Sequence, residues 1–122
     1  MPALLLVANL LLITLAGSRP PWVLQELPPA GSTSTHVATI KAELDLTRGE
    51  KLIPAAIQLI VDGMDVTPQA TITMTRDWPP SFVSITYTPS TLQPGTHRAE
   101  IHIRTEDDTT RHYTWTFVLT PP

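Results

Sequence analysis

The chain has 122 residues, of which 42% are hydrophobic, and a formal net charge of -3 with only eight Lys and Arg residues. This length suits a single domain, and the scattered basic residues do not form the basic face typical of nucleic-acid binding. No cysteine is present, so disulfides, thiol catalysis and cysteine-ligated zinc are excluded. The thirteen prolines fit strands and turns better than helices, because a proline inside a helix costs about 3 kcal/mol.

The first element is an apolar segment. Residues 3–17 are apolar except for Asn9 and Thr14, and small residues occupy positions 16–18. As a helix it would span about 22 Å, which is less than the bilayer core and typical of a signal-peptide hydrophobic region. We therefore predict that residues 1–18 are a signal peptide or an N-terminal membrane anchor. The predicted location is extracytoplasmic, in the periplasm, at the cell surface or beyond it.

Residues 19–35 read RPPWVLQELPPAGSTST, with two Pro-Pro pairs and a small polar run. This composition predicts an extended spacer ahead of a domain at residues 36–122. Trp22, Val23 and Leu24 form an apolar island in the spacer. The island either packs on the edge of the domain or lies at a membrane interface, where Trp is favoured. An uncleaved anchor would extend the membrane association over residues 3–24.

After residue 35, apolar and polar residues alternate with a period of two, which predicts half-buried strands rather than helices. Asp62-Gly63 is a strong hairpin-turn signal, and Pro94-Gly95 predicts a second turn. Six or seven short strands at near-regular spacing predict a β-sandwich. The predicted strands cover residues 39–46, 56–63, 70–75, 81–88, 96–104 and 112–119, with a turn at residues 47–51.

The last two predicted strands should form a hairpin around TEDDTT. Alternation of apolar residues is kept if Ile103 lies opposite Tyr113 and Ile101 lies opposite Trp115. The aromatic residues of the last strand then belong to the core between two sheets, where each removes about 150–250 Å² from water.

The segments LIVDGMDVT, YTPSTLQPGTH and YTWTF occur in this order along the chain. In this respect residues 37–119 resemble the bacterial immunoglobulin-like domains of exported and surface proteins. The resemblance implies an all-β fold, an immunoglobulin-like antiparallel β-sandwich of about seven strands. It implies no particular function, because this fold supports many unrelated roles.

The polar residues show no pattern of a metal or catalytic site. The histidines lack zinc-ligand spacing, the acidic turns lack a calcium-loop pattern, and no G-x-S-x-G motif occurs. His112 is predicted to lie opposite Arg104, and a neighbouring cation disfavours metal binding. His97 is expected to hydrogen-bond a loop carbonyl. We therefore expect no cofactor, no metal and no enzymatic activity.

Trp78 stands in the loop RDWPPSF, where two prolines interrupt any regular strand. It is predicted to be either a plug over the open end of the sandwich or a flat platform. A platform would bind a sugar ring or an apolar side chain of a partner.

The second candidate surface is a row of Thr and Ser on the predicted strands 70–75 and 81–88. These side chains favour strands and carry no charge that would repel another strand, although a neutral solvated face explains them equally well. We predict a non-enzymatic binding or structural module that contacts another protein. A subunit of a membrane complex and a carbohydrate-binding module are the alternatives. The candidate partner-binding residues are Trp78, Thr71, Thr73, Thr75, Ser84, Thr86 and Thr88.

Overall fold

The computed structural model describes residues 19–47 and 54–122. The predicted signal peptide or anchor and most of the predicted turn at residues 47–51 lie outside them. Within the described residues, the only helical element is a 3-10 turn at Thr67–Gln69, and no helix is long and apolar enough to cross a membrane. The strands are β1 (Val23–Leu27), β2 (Thr33–Ser34), β3 (Ile40–Asp45), β4 (Pro54–Val61), β5 (Met64–Asp65), β6 (Thr71–Met74), β7 (Phe82–Tyr87), β8 (Gly95–Thr105) and β9 (Thr110–Leu119).

The strands form two sheets, with the orders β1-β3-β7-β6 and β2-β9-β8-β4-β5. All neighbours are antiparallel except β2 and β9, which pair in parallel. Seven of the strands have four or more residues, and β2 and β5 have two each. The prediction of an all-β, immunoglobulin-like sandwich of about seven strands is confirmed.

The core lies between the sheets and consists of the alternate apolar residues predicted for it. Trp115 is 1% exposed, and its ring stacks on Tyr113 with 5.7 Å between the centroids. The aromatic residues of the last strand are therefore core residues, as predicted. The largest fully buried aliphatic side chains from both sheets are Ile40, Leu44, Leu46, Leu59, Val83, Ile85, Ile101 and Ile103.

The predicted register of the last hairpin is wrong by two residues. Ile101 lies opposite Tyr113 and Ala99 lies opposite Trp115. The Asp107 carboxylate closes the turn, since it accepts hydrogen bonds from the Thr105 hydroxyl and the Thr109 N–H. This contact centres the hairpin one residue earlier than predicted. An even shift keeps every side chain on its face, so the predicted core survives the error.

The sandwich begins earlier than the expected boundary at residue 36. Val23–Leu27 forms β1, which pairs with β3, so this part of the segment expected to be a spacer is a strand. Val23 is buried in the core and Trp22 packs partly buried against it, in agreement with the packing alternative for this island. A membrane anchor extended to Leu24 is excluded, because Val23 and Leu24 are strand residues.

Candidate functional site

β6 is an edge strand of the four-stranded sheet and pairs with β7. Thr71 lies opposite Thr86, and Thr73 lies opposite Ser84, so these four residues share the outer face of the sheet. All four residues of β6 are exposed and none is charged. The structure therefore brings together four of the residues predicted for a partner surface.

The other two residues of the predicted Thr and Ser row lie beyond the strand ends. Thr75 follows β6, and its hydroxyl accepts hydrogen bonds from the N–H groups of Ser81 and Phe82, at 2.9 and 3.2 Å. Thr75 thus stabilises the loop that joins β6 to β7. Thr88 follows β7 at the opposite end of the sheet and is exposed.

The alternate residues of β6 are less buried than their period-two pattern indicates. Ile72 and Met74 lie opposite the buried Ile85 and Val83, yet they are 37% and 45% exposed. The reason is their position on the edge strand, where the second sheet does not cover them fully. β6 consequently presents apolar side chains on one face and threonines on the other.

A shallow depression of about 300 Å³ lies on the outer face beside β6. Its lining includes the exposed side chains of Leu24 and Phe82, together with Thr73 and Ser84. Sequence analysis missed Phe82 as a surface residue. The signal was present, because an even-numbered residue of β7 shares the face of Ser84 and Thr86.

Trp78 does not plug the sandwich, since 71% of it is exposed. The buried residue of this loop is Pro80, which leaves the indole free to project. The Asp77 carboxylate accepts a hydrogen bond from the Ser81 hydroxyl. Hydrogen bonds from the Ser81 and Thr75 side chains hold the pKa of Asp77 at about 2. At neutral pH the ionised carboxylate therefore braces the loop that displays Trp78.

The histidines are arranged differently from the prediction. His112 lies opposite His102 rather than Arg104, and the two imidazoles stack at 5.7 Å. The hairpin register explains the change. Among residues 19–47 and 54–122, no group of three or more His, Asp or Glu side chains is placed to hold a metal ion.

His97 is buried at the start of β8. Its Nε2 lies 2.6 Å from the carbonyl oxygen of Gln93, the loop-carbonyl contact predicted for it, and its Nδ1 lies 2.7 Å from Asp62 Oδ2. Burial lowers the pKa of His97, but the hydrogen bonds to Asp62 and Gln93 outweigh burial and raise the pKa above its ordinary value. Both ring nitrogens face acceptors, so the imidazolium form satisfies this site.

Comparison with known proteins yields matches in structure alone. A scan against protein-family models and a search of curated proteins found no match. The crystal structure of CopC from Methylosinus trichosporium OB3b is 15% identical over 82% of this chain and 93% of that chain, with a TM-score of 0.55. Dimeric latent PorU from Porphyromonas gingivalis is 15% identical over 84% of this chain and 10% of that chain, with a TM-score of 0.57. At these identities the likeness shows a shared β-sandwich fold, and it carries no information about activity.

Proposed function

We propose that this protein is an exported, non-enzymatic immunoglobulin-like module that binds another protein through β6 and the adjoining outer face of β7. The observation that carries the proposal is the exposed, uncharged edge strand β6. Natural sheets usually blunt a free edge with charge, proline or a covering segment. An edge without these features can accept a strand from a partner through main-chain hydrogen bonds.

The side chains around β6 suit such a contact. Thr71, Thr73 and Thr86 provide a flat, neutral outer face, and Ile72 and Met74 provide exposed apolar area on the other side. An added strand would cover both rows at once, because successive side chains of a strand point to opposite faces. Apolar contacts would then add to the backbone pairing.

Export is supported by the sequence of residues 1–18, whose apolar stretch and following small residues are typical of a signal peptide. Intact-mass measurement of protein from the cells that make it tests export directly. A mature chain that starts near Arg19 would support signal-peptide cleavage, and a full-length chain in the membrane fraction would support an anchor.

The protein contact is tested by placing a photo-activated cross-linking amino acid at Thr73. The matched control is Thr116, an exposed threonine in the middle of β9 on the other sheet. Cross-linking in the producing cells should give one discrete adduct from position 73 and none from position 116. Thr73→Lys combined with Thr86→Lys should then abolish association with the captured protein. A double variant that folds normally and still associates would show that this surface is not the interface.

The exposure of Trp78 supports a second candidate, a carbohydrate-binding module. An aromatic platform of this kind usually needs a second exposed ring. Trp22 is partly buried against the core, whereas Phe82, at the end of the loop that carries Trp78, is 46% exposed. Titration with soluble oligosaccharides, monitored by tryptophan fluorescence, decides the point. A saturable change that is lost in Trp78→Ala would favour sugar binding over the protein contact.

A further inference from the structure

We propose that His102 and His112 form a two-imidazole site for a divalent first-row transition metal ion on the outer face of the five-stranded sheet. The two histidines lie directly opposite each other on β8 and β9. The strand of the proposed protein contact, β6, belongs to the other sheet. The metal site therefore goes beyond the proposed function and does not depend on it.

The separation of the two rings suits a shared metal ion. Their centroids are 5.7 Å apart, with 24° between the ring planes. Two imidazoles that bind one ion through nitrogens at about 2.0–2.1 Å have centroids about 5 Å apart when the angle at the metal is tetrahedral. Rotation of the two side chains can therefore bring one nitrogen of each ring to the same ion, without movement of the strands.

The backbone that carries the pair is held by regular strand pairing. The strands β8 and β9 have eleven and ten residues, and β8 also pairs with β4 on its other side. Ile101 and Ile103, the neighbours of His102 in β8, are fully buried in the core. The Cα positions of both ligands are thus fixed before a metal ion binds, which is the arrangement that favours a precise site.

Glu100 orients the His102 ring. Its Oε2 lies 3.1 Å from His102 Nε2, and because an ionised carboxylate can only accept, Nε2 carries the donated proton. The lone pair of the neutral ring is then on Nδ1, the nitrogen that is available to a metal ion. Metal-binding histidines commonly donate their other N–H to a carboxylate in this way. Glu100 Oε1 pairs with Arg98 at 2.6 Å, so Glu100 is a positioning residue rather than a ligand.

The charged groups around the pair do not oppose a cation. The sequence placed Arg104 opposite His112, and this neighbouring cation was one reason to expect no metal. The observed register places a second imidazole there instead. Arg98 is paired with Glu100, and Arg104 is paired with Asp108 at 3.7 Å. Among the described residues, the ring nitrogens of His112 make no hydrogen bond, so they are available as ligands.

The donor atoms select the class of metal. Imidazole suits Cu²⁺, Zn²⁺ and Ni²⁺, whereas Mg²⁺ and Ca²⁺ prefer oxygen ligands. Cu²⁺ should bind more tightly than Zn²⁺, as in the general order of divalent affinities. Two protein ligands leave the remaining positions of the ion to water. Such an open site agrees with the finding that no three His, Asp or Glu side chains of the described residues are grouped to hold a metal.

The test titrates the full-length protein with Cu²⁺ and measures affinity by isothermal titration calorimetry. Binding should be at least about tenfold weaker in His102→Gln and in His112→Gln, because loss of a ligand should cost at least as much as loss of its outer-shell partner. His36→Gln is the matched control, since His36 is an exposed histidine outside the pair, and its affinity should be unchanged. Mg²⁺ should give no heat of binding. Circular dichroism checks that each variant is folded.

Electron paramagnetic resonance of the Cu²⁺ complex keeps the test independent of any variant, because it detects the imidazole nitrogens bound to the ion. Two are expected in the unchanged protein and one in each single variant of the pair. Glu100→Gln should weaken binding by about tenfold and retain both nitrogens, which separates a positioning role from ligation.

Three results would overturn the proposal. They are no binding of Cu²⁺ to the unchanged protein, a complex with fewer than two imidazole nitrogens, and an affinity that falls in His36→Gln but not in the variants of the pair. The last result would identify an adventitious ion only. The protein contact is tested separately by cross-linking at Thr73, so either proposal can fail without the other.

Discussion

The two edge strands of the four-stranded sheet, β1 and β6, differ in whether other parts of the chain cover their unpaired edges. At β1, the chain covers its own edge: Arg19 binds the carbonyl oxygen of Leu24 and forms a 2.9 Å ion pair with Glu26. At β6, all residues are exposed and no charged side chain protects the strand. The covered edge thus contributes to the stability of the domain, and the uncovered edge is the one to which we assign the proposed protein contact.

The covered edge depends on a buried polar group. Glu26 is 2% exposed, and it accepts a 2.8 Å hydrogen bond from the Tyr113 hydroxyl of the other sheet. Burial and this hydrogen bond raise the pKa of Tyr113 to about 12. Because a buried polar group is costly when it loses its partners, single substitutions here should cost more than substitutions at β6.

The largest expected effect comes from the core that both edges share. Trp115→Ala should lower the free energy of unfolding by about 3–5 kcal/mol, since it opens a cavity between the sheets. Urea denaturation followed by circular dichroism measures the change. A loss below about 1 kcal/mol would be typical of a surface residue and would contradict the observed packing.

Glu26→Ala should come next, with a loss of about 1–3 kcal/mol, because the buried Tyr113 hydroxyl loses its acceptor and Arg19 loses its ion pair. Glu43→Ala is the matched control, a carboxylate on the outer face of the same sheet that pairs with Lys41 at 2.9 Å. The control should cost at most about 1 kcal/mol, as exposed ion pairs do. Equal losses in the two variants would show that the covered edge is not specially stabilised.

The contact of the buried His97 ring with Asp62 should make the free energy of unfolding depend on pH. The folded-state pKa of His97 is raised, so its contribution is complete below the unfolded-state value of about 6.5 and is lost as the pH rises through the folded-state pKa. The urea midpoint should therefore fall as the pH rises above about 6.5. His97→Gln should remove this part of the decline, and an unchanged pH profile in the variant would assign the decline to other groups.

Substitutions at the open edge and its loop should have the smallest effects on stability. Trp78→Ala, and Thr73→Lys with Thr86→Lys, should each change the free energy of unfolding by no more than about 0.5 kcal/mol, because these side chains are largely exposed. The same urea experiment measures both. A loss in Trp78→Ala comparable to that in Trp115→Ala would restore Trp78 as a plug and remove it from any binding surface.

The same contrast explains which parts of the structure sequence analysis could predict. Strands with a clean period of two, such as β3, were predicted with their buried faces, because alternation depends only on the pleat. β1 was missed because Glu26, an acidic residue, occupies a buried position that its contacts with Arg19, the Ala30 N–H and the distant Tyr113 make tolerable. Two prolines after β1 and a shift in its register added to the error.

For the candidate site, the sequence predicted only the features that follow from the alternation of residues along a strand. The shared face of Thr73 and Thr86 follows from alternation, whereas the edge position of β6 follows from the order of the strands, which local pattern does not contain. The exposure of Trp78 depends on Pro80 being the buried residue of the loop. The hairpin register depended on the side chain of Asp107.

The parallel pairing of β2 with β9 has a consequence for how the chain folds. Thr33 and Ser34 lie next to Val118 and Leu119, so this sheet contact joins residues from the two ends of the domain. The hydrogen bond between Glu26 and Tyr113 is equally long-range along the chain. A chain is made from its N-terminus, so β1 and β2 emerge long before the strand that completes them. Bringing β2 and β9 together closes a loop of most of the domain, and its entropy cost must be offset by contacts that form only with β9. The sandwich therefore closes only after β9 has been made.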